Sequence, residues 1–571
     1  MEKRWTIIEK TDDALMDELV RTINVDPILA NLLGQRAVKD FETAKAFFRP
    51  ALEDMHDPFL MKDMDIAIGR LNSAIRNGEK IMIYGDYDVD GTTSVALVYS
   101  FLRRYYPNLE FYIPDRYKEG YGVSSQGIEA AADAGCRLII SIDCGIKAVN
   151  KVKYASKFGI DFIICDHHTP GEQLPEAVAC LDPKRPDCPY PFKDLSGCGV
   201  GFKFMQAFCR HHGYPEEDLY EYLDLVAVSV ASDIVSITGE NRIMAAFGLQ
   251  RLNTTPRTGL QSIIRIANME NREFMLSDIV FKIGPRINAA GRIESGRDAV
   301  ELLISDDESL AKRMSDNINV HNETRKDLDR LTTQEALDLL NNNPCEKDKK
   351  STVLFKPDWH KGVIGIVASR LMDHYYRPTV ILTESQGVAT GSARSVHGFD
   401  LYSAIESCSD LLINFGGHMY AAGLTMSIEY VEQFKQRFED WVSSHILPEQ
   451  MVPQIEIDAE ISLKDINAKF FRILKQFMPF GPGNMKPLFV TRRVIDYGTS
   501  KVVGKNRDHL KLEIIDEHSS SIIQGVGFSM GAHIDKVKSG DPFDVVYSIE
   551  ENVFNGKTSI QIMVKDLHFP Y

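Results

Sequence analysis

Short β-branched runs alternate with longer segments of helical apolar spacing over the first half of the chain. Ile66, Ile68, Leu71 and Ile75 recur at helical intervals within residues 65–78, and Gly78 suits the stop. Residues 80–84 predict a short buried strand, and residues 95–106 a helix after it. Residues 138–142, 162–165 and 178–181 predict further strands, bounded by turn or polar residues. Strands alternating with helices imply a parallel α/β sheet covered on both faces. Residues 1–60 read as mixed and helical, with proline boundaries at Pro50 and Pro58.

The pattern then changes twice. Residues 301–342 are polar and free of proline, and place Leu310, Met314, Ile318, Leu328, Leu331 and Leu339 at helical spacing. They predict long connecting helices that stop at Asn341-Asn342-Asn343-Pro344. A smaller α/β pattern begins at residues 352–355, passes through a helix at 364–374 and a strand at 379–382, and ends near Trp441. Beyond residues 448–453, short alternating segments at 455–457, 488–490, 510–515, 545–547 and 559–562 predict a small β-barrel or sandwich. The expected division is 1–300, 301–345, 346–448 and 452–571, in keeping with 571 residues, more than one core supports.

Charge narrows the function classes. The net charge of −16, from 65 basic and 81 acidic residues, argues against a uniformly basic coat for nucleic acid. It leaves room for a local basic groove. Residues 452–571 hold 11 Lys and 4 Arg against 9 Asp and 6 Glu, so the acidic excess lies in residues 1–451. No run approaches the roughly 18 apolar residues of a membrane helix. The opening Met1-Glu2-Lys3-Arg4-Trp5 leads into no secretory signal, so a cytoplasmic protein is expected. Nine cysteines, seven of them between Cys136 and Cys209 and none in a C-x-x-C pair, predict reduced buried thiols.

The candidate chemistry sits where strands end. Asp86-Tyr87-Asp88-Val89-Asp90-Gly91 follows the first buried strand. A single Asp there would cap the next helix. Three carboxylates in five residues are costly at a strand end unless a cation compensates them. The next two strands run into Asp143-Cys144-Gly145 and Asp166-His167-His168, and Asp233 ends the apolar run 225–232. In an open α/β sheet the crevice at these strand ends binds ligands. Carboxylates with imidazole suit Mn²⁺, or Mg²⁺ with more water. The set can hold two metals with one bridging carboxylate, an arrangement that stabilises the attacking and departing oxygens of phosphoryl hydrolysis.

These motifs, in this order, resemble the DHH phosphoesterase superfamily, named for Asp166-His167-His168. Other segments narrow the resemblance to the RecJ single-stranded-DNA exonucleases. They are Pro114-Asp115-Arg116 with Glu119-Gly120-Tyr121-Gly122, the run Leu195-Ser196-Gly197-Cys198-Gly199-Val200, and the run from Gly284-Pro285-Arg286 to Gly291-Arg292. Ser392-Ala393-Arg394-Ser395, Gly398-Phe399-Asp400-Leu401 and the glycine-rich run from Gly416 to Gly423 resemble the DHH-associated domain. Phe480-Gly481-Pro482-Gly483-Asn484 resembles the lead-in to the family's OB-fold. The resemblance implies a multidomain α/β chain: a parallel-sheet DHH domain, a smaller α/β DHH-associated domain and a β-barrel OB-fold.

It further implies a metal-dependent 5′→3′ exonuclease that degrades single-stranded DNA to 5′-mononucleotides in recombination and repair. Two divalent ions, Mn²⁺ or Mg²⁺, would be held by Asp88, Asp90, Asp143, His167 and Asp233, with Asp143 bridging and Asp86 and His168 beside them. Arg116, Arg286 and Arg394, with the Ser392 hydroxyl, match the family's pocket for a 5′-phosphate, which guanidinium forks suit. His418 either contacts phosphate or caps its glycine-rich turn. Tyr84 stands where many relatives carry His, which would leave one metal less tightly held or with water instead. In the last domain, Arg492, Arg493, Lys501, Lys505, Arg507 and Lys511 cluster near the aromatic residues Phe489, Tyr497 and Phe528, materials for a single-strand groove. Implied partners are single-stranded DNA, a single-strand-binding protein and a RecQ-type helicase, with the chain a monomer. The alternative within the superfamily is a phosphodiesterase for nano-RNA or cyclic dinucleotides, whose members lack the OB-like domain.

Overall fold

Five short strands build the first sheet: β1 (Lys80–Gly85), β2 (Leu109–Tyr112), β3 (Cys136–Ile142), β4 (Asp161–Cys165) and β5 (Ala179–Leu181). All pairings are parallel, in the order β2-β1-β3-β4-β5. Residues 81–85 of β1 and 138–142 of β3 are all buried and, but for Ser141 and the Tyr84 hydroxyl, apolar, as a covered parallel sheet requires. From β1 the chain crosses to β2 on one side, then back over to β3 on the other. The loops after β1 and β3 therefore diverge and open a crevice at the strand ends. The structure is a computed structural model that describes residues 3–270, 272–293, 295–346, 348–516, 521–554 and 556–570.

Three helices line this crevice. Helix α1 (Val89–Arg103) starts at Val89 and not at 95, because the Asp88 carboxylate accepts from the Gly91 N–H at 3.0 Å and caps the helix. Its first turn has no apolar stripe to announce it. Helix α2 (Gly197–His212) is capped by Ser196 and helix α3 (Leu223–Ser232) ends at Asp233. Helix α4 (Gly284–Ile293) follows, and then α5 (Glu308–Asn341), a single 34-residue helix where a set of connecting helices is expected.

The second sheet comprises β6 (Thr352–Phe355), β7 (Thr379–Ser385), β8 (Val388–Arg394), β9 (Leu412–His418) and β10 (Ala421–Met426), in the order β9-β10-β8-β7-β6. Helix α6 (Ile364–Tyr375) connects β6 to β7, the only parallel pair among them. Beyond it, β11 (Phe489–Asp496), β12 (His509–Asp516), β13 (Ile523–Gly527), β14 (Phe543–Phe554) and β15 (Lys557–His568) form a closed ring. Pairings run β11 to β14, β15, β13, β12 and back to β11. The choice between barrel and sandwich is thus settled as a five-stranded barrel, filled by Phe489, Leu512, Val545 and Tyr547.

Two segments depart from the order of the chain. Arg4–Ile7 is a strand, paired in parallel with Gln454–Ile457, and helices Asp13–Ile23, Pro27–Gln35 and Phe41–Phe48 come only after it. The helical reading of residues 1–60 is corrected at its start, since a four-residue strand with so distant a partner leaves no local signal. The chain forms two compact units: Asp12–Asn322 with Arg472–Lys486, and Met1–Thr11 with Glu323–Phe471 and Pro487–Tyr571. All nine cysteines are free, and all but Cys345 are buried. Among the described residues no helix is long and apolar enough to cross a membrane.

Candidate metal centre

The crevice gathers the acidic motifs around one imidazole. His167 Nε2 lies 3.1 Å from Asp143 Oδ1, 3.6 Å from Asp233 Oδ2 and 3.7 Å from Asp90 Oδ2. Both ring nitrogens of His167 are buried, and neither has a hydrogen-bond partner among the described residues. Asp86 Oδ2 is likewise buried and unsatisfied. Buried polar atoms are rarely left in this state, and charged ones least of all. The donors group as Asp90, His167 and Asp233 and as Asp143, His167 and His168, each set with its ligand atoms within 4.8 Å of one another. A divalent cation fits this donor set, carboxylate oxygens with imidazole nitrogen.

Local structure holds each carboxylate in place. Asp90 accepts from the Gly197 N–H (2.7 Å), the Cys198 N–H (2.8 Å) and the Ser229 hydroxyl (2.7 Å). The first two are free N–H groups at the start of α2, where the helix dipole favours an anion. Asp143 turns into the left-handed region at φ 60°, and its N–H donates to the Cys165 carbonyl at 2.9 Å. Gly197 is required beside it, because a Cβ there would sit 2.6 Å from the Asp143 Cβ. A Cβ on Gly91 would likewise meet the Asp86 carbonyl oxygen at 2.3 Å.

The electrostatics match an uncompensated anionic pocket. Burial, then the neighbouring carboxylates, pushes Asp86, Asp88 and Asp143 above the ordinary range, and raises Asp233 to about 8. Burial lowers His167 against the pull of Asp90. His168 behaves oppositely. Burial opposes its charge, but the 2.7 Å hydrogen bond between its Nδ1 and Asp166 raises it to about 9. Asp166 is held below its usual value in spite of burial, chiefly by His168.

The proposed phosphate contacts fall in two places. In the catalytic unit, the Arg116 guanidinium stacks over Tyr87, 4.8 Å from the ring centre, between Asp86 and Asp88 in sequence. Arg286 lies on α4 and donates to the Lys282 carbonyl at 2.7 Å. In the other unit, Arg394 Nη1 donates to Ser392 Oγ at 3.0 Å. A Cβ on Gly365, in the first turn of α6, would lie 2.9 Å from that oxygen and 3.0 Å from Arg394 Nη2. His418 pairs across β9 and β10 with Ala421, which pairs in turn with Arg394, so both sit at one register. The Tyr420 N–H donates to His418 Nδ1 at 3.2 Å, the turn-capping contact.

Family models match the same regions: "DHH family, N-terminal domain" over residues 80–230, "DHHA1 domain" over 348–444 and "RecJ OB domain" over 457–566. The single-stranded-DNA-specific exonuclease RecJ of Bacillus subtilis is 37% identical over 99% of this chain and 70% of its own length. The RecJ of Salmonella typhimurium is 31% identical over 95% of this chain and 96% of its own. The chain belongs to the RecJ family. The crystal structure of RecJ in complex with Mn²⁺ from Thermus thermophilus matches with a TM-score of 0.84 at 26% identity, covering 100% of this chain and 80% of that one. The Mg²⁺ complex from the same source matches at 0.78 and 25% identity.

Several groups gain roles that the motifs alone did not give them. Asp166 lends the family motif its first letter, yet here it positions others. It accepts from the His167 N–H (2.7 Å), the Ile146 N–H (2.9 Å) and the His168 ring. Tyr121 carries its hydroxyl to 3.0 Å from His168 Nε2. Its Glu-Gly-Tyr-Gly surround is one of the motifs that carry the resemblance, and nothing in its spacing ties it to His168. Tyr84 lies beneath this loop. Its hydroxyl donates to the Gly122 carbonyl at 3.0 Å and accepts from the Ser124 N–H at 3.1 Å, and its ring stacks on Tyr112. In this RecJ-family chain Tyr84 is a strut for the Tyr121 loop.

Proposed function

We propose that the chain is a metal-dependent exonuclease on single-stranded DNA, acting 5′→3′ and releasing 5′-mononucleotides. The observation that carries this reading is the His167 imidazole among three carboxylates at the switch point of a parallel sheet, in a chain that also ends in a closed barrel of the OB kind. Asp88, Asp90, Asp143, His167 and Asp233 would hold two divalent ions, Mn²⁺ or Mg²⁺, with Asp143 serving both and Asp86 adjoining. When bound, the ions supply Lewis-acid stabilisation of the charge on the attacking and departing oxygens.

The chain's own residues do the rest. Three donors fix Asp90, so its oxygens cannot turn away from the crevice. Asp166 fixes the His168 ring with a proton on Nδ1, which leaves Nε2 and the Tyr121 hydroxyl together to meet a phosphate oxygen. Arg116, Arg286, Ser392, Arg394 and His418 bind the phosphates of the strand, with Arg394 and Ser392 receiving the 5′-terminal one. Guanidinium forks match phosphate in bidentate fashion. Tyr497 and Phe528, 54% and 56% exposed, are the stacking platforms of the barrel, whereas Phe489 belongs to its core.

The working division is 1–300, 301–345, 346–448 and 452–571, with residues 1–11 and 472–486 exchanged between the two units. The setting is DNA recombination and repair in the cytoplasm, as a monomer, with a single-strand-binding protein and a RecQ-type helicase as partners. The test is hydrolysis of matched 5′-phosphorylated oligonucleotides, single- and double-stranded. Single strands should be degraded far faster, and equal rates would refute the substrate assignment.

A further inference from the structure

The residue after Asp233 is strained. Ile234 adopts φ 59°, a left-handed conformation that costs an L-residue about 1–2 kcal/mol and suits a β-branched one least. Its side chain is 63% exposed, so its own packing does not hold it there. Such strain persists only where the surroundings over-determine the backbone.

Those surroundings come from residues 477–484, far along the chain yet within the same unit. The Pro482 carbonyl accepts from the Ile237 N–H at 2.7 Å. Gly481 and Gly483 approach the turn too closely for side chains. A Cβ on Gly481 would sit 2.5 Å from Ile237 Cγ1, and one on Gly483 2.8 Å from Ser236 Oγ. Gly483 also holds φ 72°. Ser236 Oγ and Thr238 Oγ1 are 2.7 Å apart, and Asn241 Nδ2 donates to the Ser236 carbonyl at 3.0 Å.

Arg242, buried one residue further on, secures the segment itself. Its guanidinium donates to the carbonyls of Phe477 (3.1 Å), Met478 (3.0 Å) and Pro479 (3.3 Å), and twice to that of Phe47. Asn484 Nδ2 donates to the Phe477 carbonyl (2.8 Å) and the Pro479 carbonyl (2.9 Å), and its Oδ1 accepts from Arg36 Nε at 2.9 Å. A buried guanidinium bonded to backbone carbonyls defines a loop's shape more than it adds stability.

We propose that residues 481–484, anchored by Arg242, are positioning residues for Asp233: they clamp the turn 234–238 and thereby set metal affinity. The segment that leads into the barrel strand β11 is thus part of the metal centre's support. The inference rests on Asp233 being a metal ligand, and the test separates the two claims. Outer support of this kind is worth about 10–100-fold in metal affinity.

The experiment is calorimetric titration of the full chain with Mn²⁺, beside single-strand binding in chelator, for wild type, Asp233→Asn, Gly483→Ala and Asn484→Ala. Asp233→Asn and Gly483→Ala should both weaken Mn²⁺ binding, Gly483→Ala by about ten-fold, with strand binding unchanged. Asn484→Ala is the gentler change, and decides the matter should Gly483→Ala fail to fold. Adding Ile234→Gly to the clamp variant should restore part of the loss, because the turn is then unstrained. A support that merely holds domains together would show no such rescue. If Asp233→Asn leaves Mn²⁺ binding intact, the metal assignment is wrong. If Asp233→Asn weakens it while the clamp variants bind as wild type, or if Ile234→Gly restores nothing, the clamp is refuted.

Discussion

Asp90 and Asp143 are each 2% exposed at the crevice, whereas Tyr497 and Phe528 on the barrel are more than half exposed. The crevice residues are held by a helix start, by a glycine pressed against them and by partners from residues 165, 197–198 and 229. The same barrel domain carries Arg493, Lys501, Lys505 and Arg507, all solvent-facing. Buried charge tolerates little displacement, so its surroundings become specific in identity and spacing. An exposed stacking surface needs only aromatic area and positive charge, which many arrangements supply. On the proposed function, chemistry here is therefore written as motif, and strand binding as composition.

The sharpest break in that comparison is Asp143→Ala. Cleavage should fall by about three orders of magnitude or more, with single-strand binding in chelator unchanged. Retained activity would remove Asp143 from its bridging role. On the barrel, Phe489→Ala should cost about 3–5 kcal/mol of stability, as a buried aromatic does, read as an earlier denaturant midpoint. Tyr497→Ala and Phe528→Ala should leave that midpoint in place. Arg394→Ala should lower the preference for 5′-phosphorylated over 5′-hydroxyl ends by about ten-fold, the worth of a charged hydrogen bond of roughly 1.5–3 kcal/mol. An unchanged ratio would take Arg394 out of the phosphate site. Tyr497→Ala and Phe528→Ala should each weaken strand binding by about 1 kcal/mol, the lower end for a base-stacking residue.

A smaller effect follows from the carboxylates themselves. Without metal, Asp233 titrates near 8 in the folded chain against roughly 4 when unfolded. A carboxyl raised in this way contributes stability below its unfolded value and loses it as pH rises towards 8. In chelator the melting temperature should therefore fall by a few degrees between about pH 5 and 8. Mn²⁺ should flatten the profile. A chelated profile as flat as the metal-loaded one would contradict the crowding of uncompensated carboxylates.

The legibility of the sequence follows the same division. The strand-end carboxylates and the Asp-His-His run could be read because each terminates an apolar run at a sheet edge. The barrel strands showed as period-two alternation, although the ring closure between β11 and β12 did not, being a matter of register. Strand Arg4–Ile7 was hidden because its partner is Gln454–Ile457. Tyr121 and Asp166 were visible as residues and not as a pair of contacts on one imidazole. Helix α1 began at Val89 without an apolar stripe, because a capping carboxylate set its start. Side-chain partners brought together from different strands leave no trace in local spacing.

The most direct measurement uses 3′-labelled single-stranded DNA, incubated with the purified chain and Mn²⁺, Mg²⁺ or chelator. A labelled strand that shortens stepwise from its 5′ end, with either metal and never in chelator, is the expected result. Long strands that survive while dinucleotides or cyclic dinucleotides are hydrolysed, or shortening that persists in chelator, would contradict it.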